Sequence, residues 1–257
     1  MIIEKLQSIE SDALSIYKTL RDNQVRADGS FIADSPKVVN LLLEQGVAVK
    51  SILATQEYYD AHSELLLLKG VPKIYLASKE LMQKIVGHKV HHNCMMHGVR
   101  PKDITLDELD DKIIMLDGIT SSENVGSIAR SAAAFGVSSY LLPKTSPHPF
   151  NRRALRVSMG YASFLKTHIY RDIFETIAQL KERGYRIYAA EVCDGSTPLS
   201  KVVVAKKWVV LMGHEGRGLS QEILDLCDEV VTIEMQKGVK SFNVGVAASI
   251  ILYQFNL

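Results

Sequence analysis

The apolar positions of this chain fall into short runs whose period changes along its length. A helical spacing opens at Ile3, Leu6, Ile9, Leu14 and Ile16 to Leu20, with charges between. Short apolar strands follow at 31–33, 51–54 and 73–77, alternating with helix-like stretches. Ser35 before Pro36 predicts an N-cap with proline at the first helical position, for a helix over Pro36–Glu44. Ser78, followed by Glu80 and Leu81, predicts a second helix start. Residues 1–101 read as a small α/β unit.

Residues 102–111 carry Asp103, Asp107, Glu108, Asp110 and Asp111 just after Pro101 and show no sustained period, which predicts a linker. From 112 to 257 strand and helix patterns repeat. Strands are predicted at 112–116, 138–142, 185–191, 208–212 and 229–233. Helices are predicted at 125–135, 173–183, 219–226 and 243–255. Apolar strands alternating with helices indicate an α/β domain with a mainly parallel sheet covered on both faces. Ligands of such sheets sit at the carboxyl ends of the strands.

Composition narrows this picture. The 257 residues are 47% hydrophobic, enough for a real core. No apolar run is long enough to span a bilayer, which predicts no membrane partner. The acidic start, Met1-Ile2-Ile3-Glu4-Lys5, does not match a signal peptide. Cys94, Cys193 and Cys227 are odd in number and have no metal-ligand spacing, so no metal is expected and a reducing, cytoplasmic setting fits. The net charge of +1 does not advertise nucleic acid. Positive charge is nevertheless concentrated locally: Lys144, Arg152, Arg153, Arg156, Lys166 and Arg171 run without an intervening Asp or Glu. The competing reading is a solvated face; the position just after the first motif below favours phosphate binding by Arg152, Arg153 and Arg156.

Three segments carry the chemistry, each where an apolar run ends. In the first, Asn124-Val125-Gly126-Ser127-Ile128-Ala129-Arg130, the preceding Ser121, Ser122 or Asn124 itself can cap a helix. Arg130 stands beside Ala132, Ala133 and Ala134; it is either a surface arginine or a planar fork for a phosphate. The second, Gly213-His214-Glu215-Gly216-Arg217-Gly218, is followed by Leu219-Ser220, so it is not a P-loop, and its glycine spacing is not that of a dinucleotide fingerprint. His214 is a general base in principle, although a loop histidine is more often solvated. The third, from Ile233 to Val244, places Ser241 and Asn243 at the mouth of the last helix, where both residue types also serve as caps.

These three segments, in this order, resemble the SpoU family of RNA 2′-O-ribose methyltransferases of the SPOUT class. The resemblance covers roughly 112–255. Asn124, Gly126 and Arg130 match the family's first motif, with Phe135-Gly136 following. Gly213, Glu215 and Gly218, with Leu219-Ser220, match the second. Ile233, Met235, Ser241, Asn243 and Val244 match the third. Arg156, Ser158 and Gly160 match a segment between the first two. Residues 1–101 resemble, less specifically, the L30e-like RNA-binding domain that often precedes this catalytic domain. Glu234 departs from the family's usual proline, Phe242 from its leucine, and Gly245 from its common serine. Glu234 sets a charge beside the cofactor loop.

The resemblance implies an α/β trefoil-knot domain at 112–257, a homodimer, an RNA substrate, and S-adenosyl-L-methionine as cofactor. The cofactor is expected around Gly213, Ile233, Met235, Phe242 and Val244. Arg130 is expected to grip the adjacent phosphate or the developing alkoxide, with Asn124, Glu215, Ser241 and Asn243 orienting the reactants. The substrate is ribosomal or transfer RNA; the chain stopping soon after the third motif favours ribosomal RNA. The competing function is a non-catalytic RNA-binding or ribosome-assembly protein on the same fold. A nicotinamide-dependent oxidoreductase is disfavoured by the missing fingerprint.

Overall fold

The computed structural model describes residues 1–10, 12–18 and 25–257. The helical spacing expected to reach Leu20 therefore ends outside the described residues. The elements run β1 (Ile2–Lys5), α1 (Ser15–Lys18), β2 (Ser30–Asp34), α2 (Pro36–Glu44), β3 (Ala48–Ala54), α3 (Gln56–Leu68), β4 (Lys73–Leu76), α4 (Lys79–Val86) and β5 (Cys94–Val99). They continue with β6 (Lys112–Leu116), α5 (Ser122–Ala134), β7 (Ser139–Pro143), α6 (Arg152–Val157), β8 (Lys166–Tyr170) and α7 (Ile173–Glu182). The chain closes with β9 (Arg186–Ala190), β10 (Thr197–Pro198), β11 (Trp208–Met212), α8 (Gln221–Leu224), β12 (Glu229–Thr232) and α9 (Val244–Phe255).

Two compact units result. The first comprises Met1–Lys102 together with Phe150–Ser163; the second comprises Asp103–Pro149 and Phe164–Leu257. The segment around α6, expected within the C-terminal domain, thus packs as part of the first unit. Residues 103–111, expected as a linker, are built into the second. The Ile104 amide donates to the Thr167 carbonyl at 2.8 Å, and the Asp110 amide donates to Ser139 Oγ at 2.9 Å. Their charged side chains hid this backbone role from a reading based on period.

The first unit is a mixed sheet in the order β1-β4-β3-β5-β2, with β5 antiparallel to both neighbours. One sequence expectation fails here: Ile3 belongs to a strand, not a helix. The β-branched Ile2 and Ile3 pair in parallel with Lys73 and Ile74 at the sheet edge, and Leu6 packs against the core, so strand pairing satisfies what looked like helical spacing. Ser35 also departs from expectation. It sits at the N-cap before Pro36, but its side chain accepts no cap hydrogen bond and its φ is +87°. A left-handed non-glycine residue costs about 1–3 kcal/mol and persists only where its surroundings hold it. Its neighbour Asp34, 3% exposed, provides such a hold. Arg152 Nη2 reaches Asp34 Oδ2 at 2.8 Å, and Arg156 bonds both carboxylate oxygens.

The second unit is a seven-stranded sheet, β10-β12-β9-β11-β6-β7-β8, in which every pair is parallel. Its central β11 is buried along its whole length, as its unbroken apolar run requires when both faces are covered. β8 was missed in the sequence because Lys166 and His168 interrupt its apolar positions. Helix α8 is shorter than expected. Helices α5 and α9 pack side by side through small residues. Ser131 and Ser249 share a 2.7 Å hydroxyl hydrogen bond, and a Cβ on Gly245 would stand 2.8 Å from Ser127 Oγ. Glycine at 245, in place of the family's serine, permits that approach.

Candidate active site

Four parallel strands deliver their carboxyl ends to one edge of the second unit. The first motif follows β6. Ser121 Oγ accepts the Asn124 amide at 3.3 Å and so caps α5, as its residue type predicts. The second motif follows β11 and folds back on itself, the Gly218 amide donating to the His214 carbonyl at 2.9 Å. Gly218 has a φ of +65°, and a Cβ there would lie 2.1 Å from Glu191 Oε2. The closely spaced glycines thus serve a tight turn against Glu191. The third motif follows β12 and ends at Asn243, whose Oδ1 accepts the Gly245 amide at 2.9 Å and caps α9.

Side chains tie the three motifs together. Asn243 Nδ2 donates to Asn124 Oδ1 at 3.1 Å, and Asn124 Nδ2 donates to Glu215 Oε1 at 3.0 Å. Glu215 also accepts the Ser121 amide at 3.3 Å and the Thr120 amide at 3.5 Å. Partial burial pushes the Glu215 carboxyl up. The hydrogen bonds from Asn124, its own backbone, Ser121 and Thr120 outweigh this and hold it below the usual carboxylate range. The carboxylate therefore stays ionised and acts as the acceptor at the end of an amide relay.

Beside the relay lies a cavity of about 300 Å3. All five residues expected to hold a cofactor line it: Gly213, Ile233, Met235, Phe242 and Val244. Ser241 and Glu215 line it too. Asn124 and Asn243 reach Glu215 through the relay. Arg130 stands apart. It is exposed on α5 and makes no ion pair or side-chain hydrogen bond among the described residues. The three candidate RNA-binding arginines lie in the first unit. Arg152 and Arg156 are engaged with Asp34, while Arg153 is exposed on α6.

Other cavity residues were missed or left open. Glu191, just past β9, lines the cavity and accepts the Val192 amide at 3.0 Å and the Leu219 amide at 2.9 Å. Its place at the carboxyl end of the strand predicted over 185–191 was the available signal. His214, a possible general base in the sequence, uses Nδ1 to accept the Gly216 amide at 2.9 Å and the Arg217 amide at 3.3 Å. That nitrogen therefore supports the turn, and Nε2 carries the proton in the neutral ring. Asp117, after β6, has its carboxyl raised mainly by burial, with Tyr170, Arg217 and His214 opposing the shift. No helix among the described residues is long and apolar enough to cross a membrane, and no cluster of potential metal ligands occurs among them.

A model of the SpoU rRNA Methylase family matches residues 111–253, which contain all three motifs. A Mycobacterium tuberculosis protein named as a tRNA/rRNA methyltransferase is 28% identical over 229 residues, 87% of this chain and 79% of that one. The SpoU methyltransferase AviRb of Streptomyces viridochromogenes, crystallised with AdoMet, superposes with a TM-score of 0.81 at 23% identity, covering 96% of this chain and 98% of its own. An AdoMet-bound rRNA methyltransferase of Sinorhizobium meliloti superposes at 0.83 and 19% identity, covering 98% and 97%. At these identities the two solved structures speak for the fold.

Proposed function

Because the chain belongs to the SpoU rRNA methylase family of RNA methyltransferases, we propose that it methylates a ribose 2′-hydroxyl of structured ribosomal or transfer RNA, using S-adenosyl-L-methionine. The observation that carries this reading is the Glu215–Asn124–Asn243 relay, which brings all three motifs to the rim of one cavity.

The cavity suits the methyl donor chemically. Ile233, Met235, Phe242 and Val244 supply an apolar wall for a heterocycle, and the Glu191 and Glu215 carboxylates favour a cationic ligand. Two solved neighbours carry AdoMet, which supports the same assignment. When bound, this cofactor supplies an electrophilic methyl group on sulfonium sulfur.

The chain's own residues would align the ribose with that methyl group and accommodate the proton it loses. Alignment is the larger share of the work, because an oriented pair of reactants avoids the entropy of an encounter. A guanidinium stays protonated in proteins and is a poor base. The exposed guanidinium of Arg130 suits a bidentate grip on the neighbouring phosphate, where it also stabilises charge developing on the 2′-oxygen. The same phosphate would assist loss of the hydroxyl proton. Asn124, Glu215, Ser241 and Asn243 hold the loops around the ribose.

A homodimer fits the outer face of α9. That helix is apolar all round, yet Val246 and Tyr253 are 47% and 56% exposed, as expected of a face covered by a second copy. The first unit, with its mixed sheet, would serve as the L30e-like RNA-holding domain.

The deciding experiment is Arg130→Ala, assayed for ribose methylation and for S-adenosylhomocysteine binding. Methyl transfer should fall by about 10²–10³-fold with ligand binding nearly intact. A variant that methylates RNA at the normal rate removes the assignment. RNA binding without turnover by the unaltered chain would favour a non-catalytic RNA-binding role.

A further inference from the structure

Glu234 is where this chain leaves the family pattern, and the structure gives its carboxylate a partner. Both of its oxygens are engaged by Ser200: Oε1 by the hydroxyl, and Oε2 by the backbone amide at 3.3 Å. The hydrogen bond from the Ser200 side chain is the leading reason its carboxyl lies below the usual range.

The position of Ser200 gives this contact its meaning. Strands β10 and β12 pair in parallel, Thr197 with Val231 and Pro198 with Thr232. The ladder stops there because Pro198 has no amide to donate and the chain turns into a single 3₁₀ turn over Leu199–Lys201. Two residues past the last pair on each strand stand Ser200 and Glu234. The Glu234 side chain takes up the Ser200 amide where the backbone ladder has ended. The turn it grips is itself fixed, since Leu199 is buried at 4% exposure.

The flanking residues face the other way. Ile233 and Met235 line the cavity, while Glu234 between them is exposed and tied outward to Ser200. In an extended segment, alternate side chains point to opposite sides, so anchoring the middle residue sets the direction of both neighbours. We propose that Glu234 is a positioning residue for cofactor binding: its hold on Ser200 keeps Ile233 and Met235 turned into the cavity. A proline at this position would stiffen the segment by fixing φ; here a side-chain clamp does so. The inference rests on the cavity being the S-adenosylmethionine site.

The test is calorimetric titration of S-adenosylhomocysteine into the full chain and into Glu234→Ala, Glu234→Gln, Ser200→Ala and the Ser200→Ala/Glu234→Ala double variant. Glu234→Ala should weaken binding about fivefold, the scale of one lost charge-assisted hydrogen bond at an exposed site. Glu234→Gln keeps one acceptor for Ser200 and should recover part of that loss. The double variant should bind no more weakly than Glu234→Ala alone, since both changes remove the same contact. In turnover, the change should fall on KM for the methyl donor rather than on kcat. Thermal unfolding separates this from a general structural role, which would lower the Tm without moving the binding constant. Normal binding by Glu234→Ala overturns the inference alone. Failure of the unaltered chain to bind S-adenosylhomocysteine removes the cofactor assignment and the inference with it.

Discussion

Asn124 Nδ2 donates to Glu215 Oε1 at 3.0 Å, joining residues 91 positions apart at the ends of two adjacent parallel strands. The same amide group accepts from Asn243 through Oδ1. An asparagine is suited to this place because it offers a donor and an acceptor in one plane, so it can bridge a carboxylate and a second amide.

Replacing Asn124 with Asp should therefore do more damage than replacing it with Ala. Aspartate keeps the acceptor toward Asn243 but sets a carboxylate against Glu215 in place of a donor. Asn124→Ala should cost about 1 kcal/mol of stability, and Asn124→Asp should cost more at neutral pH and recover as the pair is protonated in acid. Thermal unfolding at two pH values, with methyl-transfer rates alongside, checks both outcomes. Equal behaviour of the two variants would show that the relay is not what Asn124 contributes.

Asp34 makes a separate pH prediction. Burial pushes its carboxyl up, but Arg156 and Arg152 outweigh burial and hold it below the usual range. A group whose native pKa is depressed contributes stability that is fully present above its unfolded value, about 3.9, and lost as pH falls through the lower native value. Asp34→Asn should cost about 3 kcal/mol near neutrality, because two arginines lose the buried anion they share. The gap in Tm between the unaltered chain and the variant should close as pH falls below about 4. A gap that stays constant with pH would assign the loss to packing.

The basic stretch divides accordingly. Arg152 and Arg156 are committed to Asp34, and Arg153 is exposed on the same helix. Arg153→Gln should weaken RNA binding and reduce the salt slope by about one ion, if it meets a phosphate. Arg152→Gln should chiefly lower the Tm. Salt titrations of RNA binding measure the first and thermal melts the second. An unchanged slope for Arg153→Gln would return that residue to the solvated surface.

The outer face of α9 supplies a prediction about assembly. Val246→Asp and Tyr253→Asp place charges on exposed apolar positions of a helix whose opposite side is buried. Light scattering coupled to size exclusion should report a dimer for the unaltered chain and a monomer for the double variant, with its circular dichroism preserved. A dimer surviving both charges would locate the interface elsewhere.

The sequence by itself determined the periodic elements of the second unit. Strands Lys112–Leu116 and Trp208–Met212 follow from unbroken apolar runs bounded by polar turns, and Ser121 and Asn243 are capping types placed where helices begin. Their physics is local, and the order of the motifs by itself points to the family. Tertiary structure alone decided which polar side chains meet. The partners of Asn124 lie 91 and 119 residues away, those of Asp34 lie 118 and 122 away, and that of Glu234 lies 34 away. No period encodes such contacts, because they depend on which strands become neighbours in the sheet and on where each ladder ends. For the same reason Ile3 looked helical and proved to be strand, and the hold of Arg152 and Arg156 on a buried carboxylate could not be read from their run of positive charge.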